Sequence, residues 1–292
     1  MAEHLQIGSL FDVKGRCVAV TGGASGIGLM ISRGCVANSC SVILIDVNED
    51  ALSKAKSELE KIISSSSSNT AQVQLIHGDL STEAGVQAVV ENVKSKVQSL
   101  DTLIHCAAVR YMNSTAYKPG DSLERLETAT LSAPYAGWEH TMRLNVLAPY
   151  FLTAGLITLL GKAAARGEGR GSVILFSSPA SVHNNQFVPC YQTSKAAVDH
   201  LVRIMAMEFA DFYIRVNGMS PGIVPSGMTT NDSNSNIHLV KETPAKRAGT
   251  EEDMVSCALW LMSKAGEFMD GKMIRIEGGR LLVLKGVTSN SD

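Results

Sequence analysis

Short apolar runs and longer periodic segments alternate along the chain, and that rhythm sets out its elements. Arg16 to Val20 is a β-branched apolar run of the kind that forms a buried strand. A helical pattern follows from Leu29 to Asn38, then a second apolar run from Ser41 to Ile45 and a mixed-charge helix from Glu49 to Ile63. Gln72 to Ile76 alternates as a third strand, and Ser81 is placed to cap the next helix, with Glu83 in its first turn. Leu100 to Ala108 reads as a fourth buried strand, Trp138 to Leu160 as a long helix, and Ser172 to Phe176 as a fifth strand. A helix through Tyr191 runs to about Ala210, and Tyr213 to Val216 is a sixth strand. Thr250 to Asp253 caps a helix over Met254 to Ser263, and Lys272 to Ile276 is the seventh strand. Strand and helix alternate over residues 1–292 without repeat or linker. That pattern predicts one α/β domain, a parallel sheet of about seven strands with helices on both faces.

Two segments break the rhythm. Val109 to Tyr135 holds Pro119, Gly120 and Pro134 and has weak periodicity, so it reads as a long loop or small insertion. Residues 223–243 are polar, irregular and rich in Asn and Ser. Long segments of this kind inside a domain act as lids or binding elements. The serine run Ser64 to Ser68 is a surface loop.

Chemistry gathers at the strand ends. The first strand runs into Thr21-Gly22-Gly23-Ala24-Ser25-Gly26-Ile27-Gly28, just before a helix. Glycines allow a tight turn and close approach to a pyrophosphate, and the helix N-terminus offers free N–H groups and a positive dipole end. Asp46 closes the second strand eighteen residues after Gly28, the place of a carboxylate that binds an adenosine ribose. Later in the chain, Tyr191 and Lys195 stand four apart on one helix face. A free Tyr, with a pKa near 10, is a poor acid–base at neutral pH, and a neighbouring ammonium favours its phenolate. The pair is suited to passing a proton to or from a substrate oxygen.

Composition narrows the partners. The 292 residues are 45% hydrophobic and 18% charged, with net charge −2 and no basic run, which argues against nucleic acid or an anionic membrane as partner. The six cysteines form no C-x-x-C pair and no zinc spacing, so no metal is expected and the thiols read as reduced, in a cytoplasmic protein. Neither a signal peptide nor a membrane-spanning apolar stretch is expected.

From about Gly15 to Gly279 the chain resembles the short-chain dehydrogenases/reductases. Thr21-Gly22-x-x-x-Gly26-x-Gly28 resembles that family's cofactor turn. Asn145, Ser178, Tyr191 and Lys195 match its catalytic tetrad, with Ser178 thirteen residues before Tyr191, and Pro221-Gly222 matches its nicotinamide-side turn. The resemblance implies a single-domain Rossmann-type doubly wound fold. It also implies a nicotinamide site made by Gly22, Ser25, Gly26, Ile27, Gly28, Asp46, Asp79 and Leu80, continued by Cys106, Ala107, Tyr191, Lys195, Pro221, Gly222, Val224 and Ser226. Tyr191 is then the acid–base, Ser178 positions the reacting oxygen, Lys195 lowers the Tyr191 pKa and holds the nicotinamide ribose, and Asn145 holds a water linking Lys195 to solvent. The implied activity is hydride transfer between a nicotinamide and a secondary alcohol or ketone. The alternatives are an isomerase, dehydratase or cyclase on the same pocket, or a cofactor-binding protein without turnover. Pairing into a homodimer or homotetramer through the Trp138–Leu160 helix (Leu144, Leu147, Phe151, Leu152, Leu159) is also implied.

Three positions depart from the family pattern. His105-Cys106-Ala107-Ala108 replaces Asn-Asn-Ala-Gly, Ser226 replaces a Thr, and the span before Asn145 is longer than usual. His105, His183 and Cys190 are expected as pocket walls beside Pro179, Ala180, Val182, Phe187, Val188 and Pro189, which suits a mid-sized lipophilic substrate. Asp46 implies NAD rather than NADP. No basic residue stands at Gly23, Ala24, Ser25, Val47 or Asn48, and Arg33 is expected to face solvent.

Overall fold

The computed structural model describes residues 2–186, 188–226 and 237–285. The apolar runs form seven parallel strands: β1 (Cys17–Thr21), β2 (Ser41–Asp46), β3 (Val73–His77), β4 (Thr102–His105), β5 (Ser172–Phe176), β6 (Arg215–Pro221) and β7 (Met273–Ile276). They lie in the order β3-β2-β1-β4-β5-β6-β7. The chain builds outward from β1 to β2 and β3, then returns to place β4 on the other side of β1. Thr21 consequently faces Ile45 on one side and His105 on the other, and a crevice opens above these carboxyl ends.

Ten α-helices accompany the strands among the described residues: α1 (Ile7–Leu10), α2 (Gly26–Ala37), α3 (Glu49–Ser64), α4 (Glu83–Lys96), α5 (Leu123–Leu131), α6 (Tyr135–Met142), α7 (Ala148–Ala164), α8 (Pro189–Phe209), α9 (Glu251–Met262) and α10 (Arg280–Val283). Successive strand residues point to opposite faces. Ala19, Ile43 and Leu103 therefore pack with Val89 of α4 and Leu152 and Leu156 of α7, whereas Val18, Val20 and Leu44 pack with Ile31 of α2, Leu59 of α3 and Leu261 of α9. Both faces of the sheet are covered, as strands apolar on both sides require.

Several boundaries differ from the sequence reading. β4 stops at His105, and Cys106 to Ala108 peel away to line the crevice. β6 continues past Val216 to Pro221. Polar Asn217 is tolerated inside it because its side chain donates to Met269 O at 2.8 Å and accepts from Lys272 N at 3.0 Å. Thr82, not Ser81, caps α4 and accepts from Gly85 N at 3.1 Å. The 109–135 segment is not all loop, since Ser122 caps α5 within it. The long helix starts at Tyr135, turns through a π-helical segment at Arg143–Leu147 and ends at Ala164. Contrary to expectation, this run is long and apolar enough to cross a membrane by length and composition. Much of that apolarity is core: Leu152, Leu156 and Leu160 are fully buried. Within 223–243, residues 227–236 fall outside the described residues, and Ile237–Glu242 forms a 3-10 turn.

Candidate active site

The glycine turn is shaped by what a side chain would strike. Gly22 has φ +62°, and a Cβ there would lie 2.9 Å from Ala107 N. A Cβ on Gly28 would lie 2.2 Å from Gly22 O, so α2 can approach the turn only as glycine. The result is a cavity of about 560 Å³ at the N-terminus of α2. Gly22, Ser25, Gly26, Ile27 and Gly28 form one wall, with Cys106 and Ala107 opposite. Asp46, Asp79, Leu80 and Ser226 line it as well. One Asp46 oxygen accepts from Ala24 N at 3.3 Å and the other from Asn48 N at 3.1 Å, which fixes the carboxylate beside the turn. Asp79 accepts from Ser81 N at 2.8 Å, and that bond holds its carboxyl below the usual range. This cradle has the glycines, helix end and strand-end carboxylate that suit a dinucleotide.

A second cavity of about 400 Å³ continues from the first, sharing Ile27, Cys106, Ala108, Phe176 and Ser226. Ser178, Tyr191 and Lys195 line it, with Pro221, Gly222 and Val224 across from them. Ser178 follows β5, where its hydroxyl accepts from Ala180 N at 3.2 Å and starts a 3-10 turn. Tyr191 and Lys195 stand one turn apart on α8, with the ammonium 5.6 Å from the Tyr191 ring centre. Both are buried, at 9% and 3% exposure.

Burial decides the protonation of this pair. It pushes the Tyr191 phenol above its ordinary value, against the Ser178 hydrogen bond and the Arg110 charge, which both pull it down. On balance the phenol stands above its ordinary value, and the cation that pulls on it is Arg110. Lys195 is itself brought down to about 8 by burial, and its ammonium donates to Phe176 O at 2.7 Å. Asn145 lines neither cavity. Its side-chain oxygen accepts from Val109 N, and its amide donates to Val109 O, all at 2.9 Å, and to Ser194 Oγ at 3.0 Å. The side chain thus braces the strand-four exit against α8 and has no amide hydrogen left over for other work.

The expected walls divide. Pro179, His183 and Val188 line the catalytic cavity, whereas Ala180, Val182 and Pro189 do not, and Phe187 lies outside the described residues. His105 is buried behind the site, 2.9 Å from Thr153 Oγ1, and desolvation takes it down to about 3, so it is neutral. Cys190 is also buried and donates to Tyr111 O. Arg33 does not simply face solvent. It pairs with Glu58 and, at 3.1 Å, with Glu251, so it is committed away from the adenosine end.

Residues not foreseen include Arg110, Asn185, Gln186 and Arg280 in the catalytic cavity and His140 in the cofactor cavity. Another is Asp199, four residues beyond Lys195 on the same helix. Its carboxylate accepts from Ser177 Oγ and, at 2.7 Å, from Ser181 Oγ, and it pairs with Arg275 at 3.5 Å. The i,i+4 spacing from Lys195 was the available signal.

A family model described as enoyl-(acyl carrier protein) reductase matches residues 22–280. The chain belongs to the short-chain dehydrogenase/reductase family. With membership comes its class of reaction, hydride exchange between a nicotinamide and an alcohol or ketone carbon. The short-chain dehydrogenase/reductase PhomF of Diaporthe leptostromiformis is 31% identical over 287 residues, covering 94% of each chain. The structure of the Pseudomonas aeruginosa RhlG/NADP active-site complex is 28% identical, with a TM-score of 0.79 over 93% of this chain and 98% of that one. A 7α-hydroxysteroid dehydrogenase complexed with NADH and 7-oxo glycochenodeoxycholic acid is 26% identical, with a TM-score of 0.76 over 92% and 95%.

Proposed function

We propose that this short-chain dehydrogenase/reductase exchanges hydride between NAD and a secondary alcohol or ketone of a mid-sized, largely lipophilic compound. The observation that carries the reading is the grouping of Ser178, Tyr191 and Lys195 on one wall of a cavity that opens into the glycine-turn cradle ending at Asp46.

A bound nicotinamide supplies or accepts the hydride. Tyr191 gives its proton to the carbonyl oxygen in reduction and, as phenolate, takes it back in oxidation. Ser178 hydrogen-bonds the same oxygen and holds it against the phenol. Lys195 contributes its positive charge beside Tyr191 and a hydrogen bond to the nicotinamide ribose. The Asn145 side chain is spent on Val109 and Ser194, so it has no amide hydrogen left for a water that would link Lys195 to solvent. Two neighbours of similar likeness carry NADP and NADH respectively, so the preference for NAD rests on Asp46 and on the commitment of Arg33 elsewhere.

The test follows nicotinamide absorbance with a panel of ketones and secondary alcohols. Substrate-dependent oxidation of NADH or reduction of NAD supports the reading. Product without net change in the nicotinamide replaces it with an isomerase, dehydratase or cyclase, and cofactor binding with neither replaces it with a binding protein.

Three further features belong to the same proposal. Arg110 and Met112 from the 109–135 segment, and Ile223, Val224 and Leu239 from 223–243, line the catalytic cavity, which suits closure of these segments over substrate. Equal hydrogen-exchange protection of both with and without cofactor and substrate would refute closure. Leu147 and Phe151 stay exposed on the long helix while Leu152 and Leu159 are buried, which suits pairing of two copies there. All six cysteines are free thiols, in keeping with a cytoplasmic setting.

A further inference from the structure

The catalytic cavity has an uneven charge. Arg110, Lys195 and Arg280 line it, and among the described residues no Asp or Glu does. Lys195 is occupied by Phe176 O and by its place beside Tyr191. Arg280 donates to Leu239 O at 3.2 Å and feels the carboxylates of Glu242 and Glu277. Burial lowers the His183 imidazole below its ordinary value, and its ring nitrogens lie near Lys285 O and Gln186 Nε2, each at 3.0 Å. Arg110 differs from all of these. Its guanidinium takes part in none of the hydrogen bonds or ion pairs among the described residues, yet it is half-buried in the wall. A partly desolvated cation without a counter-charge is costly unless a ligand supplies one.

The chain fixes the backbone of Arg110 from both sides. Val109, just before it, is clamped by two hydrogen bonds to Asn145. Tyr111, just after it, accepts from the Cys190 thiol, the residue preceding Tyr191, and its ring fills the space that a Cβ on Gly137 would need. Arg110 is thereby tied to the backbone that carries the acid–base, and its charge acts on the Tyr191 phenol. A guanidinium presents a planar fork of donors matched to the two oxygens of a carboxylate.

We infer that Arg110 binds a carboxylate of the substrate, so that the enzyme takes a keto acid or hydroxy acid with its reacting carbon at Tyr191 and its carboxylate against Arg110. The inference rests on the oxidoreductase reading and adds the substrate class to it. Pro179, Val188 and Met112 then enclose the apolar carbons between the two ends.

The test compares levulinate and its longer homologues with their methyl esters, as substrates for wild type, Arg110→Gln and Arg110→Lys. The readout is the acid-to-ester ratio of kcat/KM, because any effect of Arg110 on the acidity of Tyr191 cancels in it. Wild type should favour the best acid over its ester by about ten-fold or more, the Gln variant should bring the ratio near one, and the Lys variant should keep part of it. A ratio unchanged by Arg110→Gln overturns the inference. Calorimetric binding of hexanoate to the NAD-saturated protein covers the case in which neither ketone turns over, where the oxidoreductase reading fails on its own. Wild type should then bind hexanoate about ten-fold more tightly than Arg110→Gln. Equal affinity, or no binding by wild type, overturns the inference.

Discussion

The two ends of the crevice are built by different means. The cofactor end is mostly backbone: a glycine turn on β1, the N-terminus of α2, and carboxylates placed by the ends of β2 and β3. Its parts come from one local strand–turn–helix unit and its immediate neighbours. The substrate end is mostly side chains from segments far apart in sequence: Arg110 after β4, Asn185 and Gln186 after β5, Leu239 after β6 and Arg280 after β7. Ser178, Tyr191 and Lys195 stand where the two ends meet. A fixed cradle next to a wall assembled from four loops keeps hydride geometry constant while leaving substrate choice to the loops.

If the two ends separate in this way, Tyr191→Phe should lower turnover by roughly 10²–10⁴-fold, the usual worth of acid–base help. The NAD dissociation constant from fluorescence titration should stay close to wild type. More than about a tenth of the wild-type rate surviving would remove Tyr191 from the role of acid–base.

At the opposite end, Asp46→Ala should alter cofactor choice without altering chemistry. Its carboxylate is held by Ala24 N–H, and in the proposed reading it meets the ribose where NADP carries a phosphate. Two like charges about 4 Å apart cost about 4 kcal/mol at an effective dielectric near 20. Solvent at this open end reduces that to about 2 kcal/mol, still a preference of tens-fold. The ratio of kcat/KM for NAD over NADP should fall by that factor in the variant while kcat with NAD stays near wild type. Equal use of both cofactors by wild type would show that Asp46 does not face the ribose.

How much of this was legible follows the same division. Gly22 and Gly28 are readable because backbone close approach admits only glycine, and the spacing to Asp46 is set by one strand and one helix. All seven strands were visible as apolar runs, yet β6 looked too short because Asn217 satisfies its polarity with partners across the sheet, at Met269 and Lys272. The α5 helix was hidden by weak periodicity, since Ala129 is its one buried residue. Arg110 and Arg280 carry no local signature, because what makes them pocket residues is the meeting of loops separated by most of the chain. Asn145 was expected to face the site, yet its side chain lines neither cavity, because its partners are tertiary contacts with Val109 and Ser194.

Between the two ends, Asp199 offers a smaller effect. It holds Ser177 and Ser181, the residues that bracket the Ser178 segment, and Ser177 Oγ also donates to Lys195 O at 3.2 Å. It acts as a positioning residue for Ser178. Asp199→Ala should lower kcat by about ten-fold through misplacement of that hydroxyl, with the NAD dissociation constant little changed. Asp199→Asn, whose one side-chain oxygen can accept from one serine while its amide donates to the other hydroxyl, should recover part of the loss. A fall in thermal stability with kcat intact would make Asp199 structural only.

The smallest effect tests whether the substrate end reaches into the chemistry. The phenol of Tyr191 is raised by burial and pulled down by the Ser178 hydrogen bond and by the Arg110 cation. A nearby positive charge favours the phenolate, so its removal favours the protonated phenol. Alcohol oxidation needs the phenolate. In Arg110→Gln, the rising limb of kcat/KM against pH for a neutral secondary alcohol should therefore move to higher pH, and the rate on that limb should fall at any fixed pH. Arg110→Lys should keep the limb near its wild-type position. Lys195, brought down to about 8, titrates ahead of the raised Tyr191 phenol and adds its own step to the profile. The diagnosis is thus the difference between variants rather than the absolute position. Asp46→Ala, with its change at the far end of the crevice, should leave the limb where it is. A limb that moves with Asp46→Ala as far as with Arg110→Gln would mean that the two ends are electrostatically one site. A limb that moves with neither would leave Arg110 with no part in setting the acidity of Tyr191.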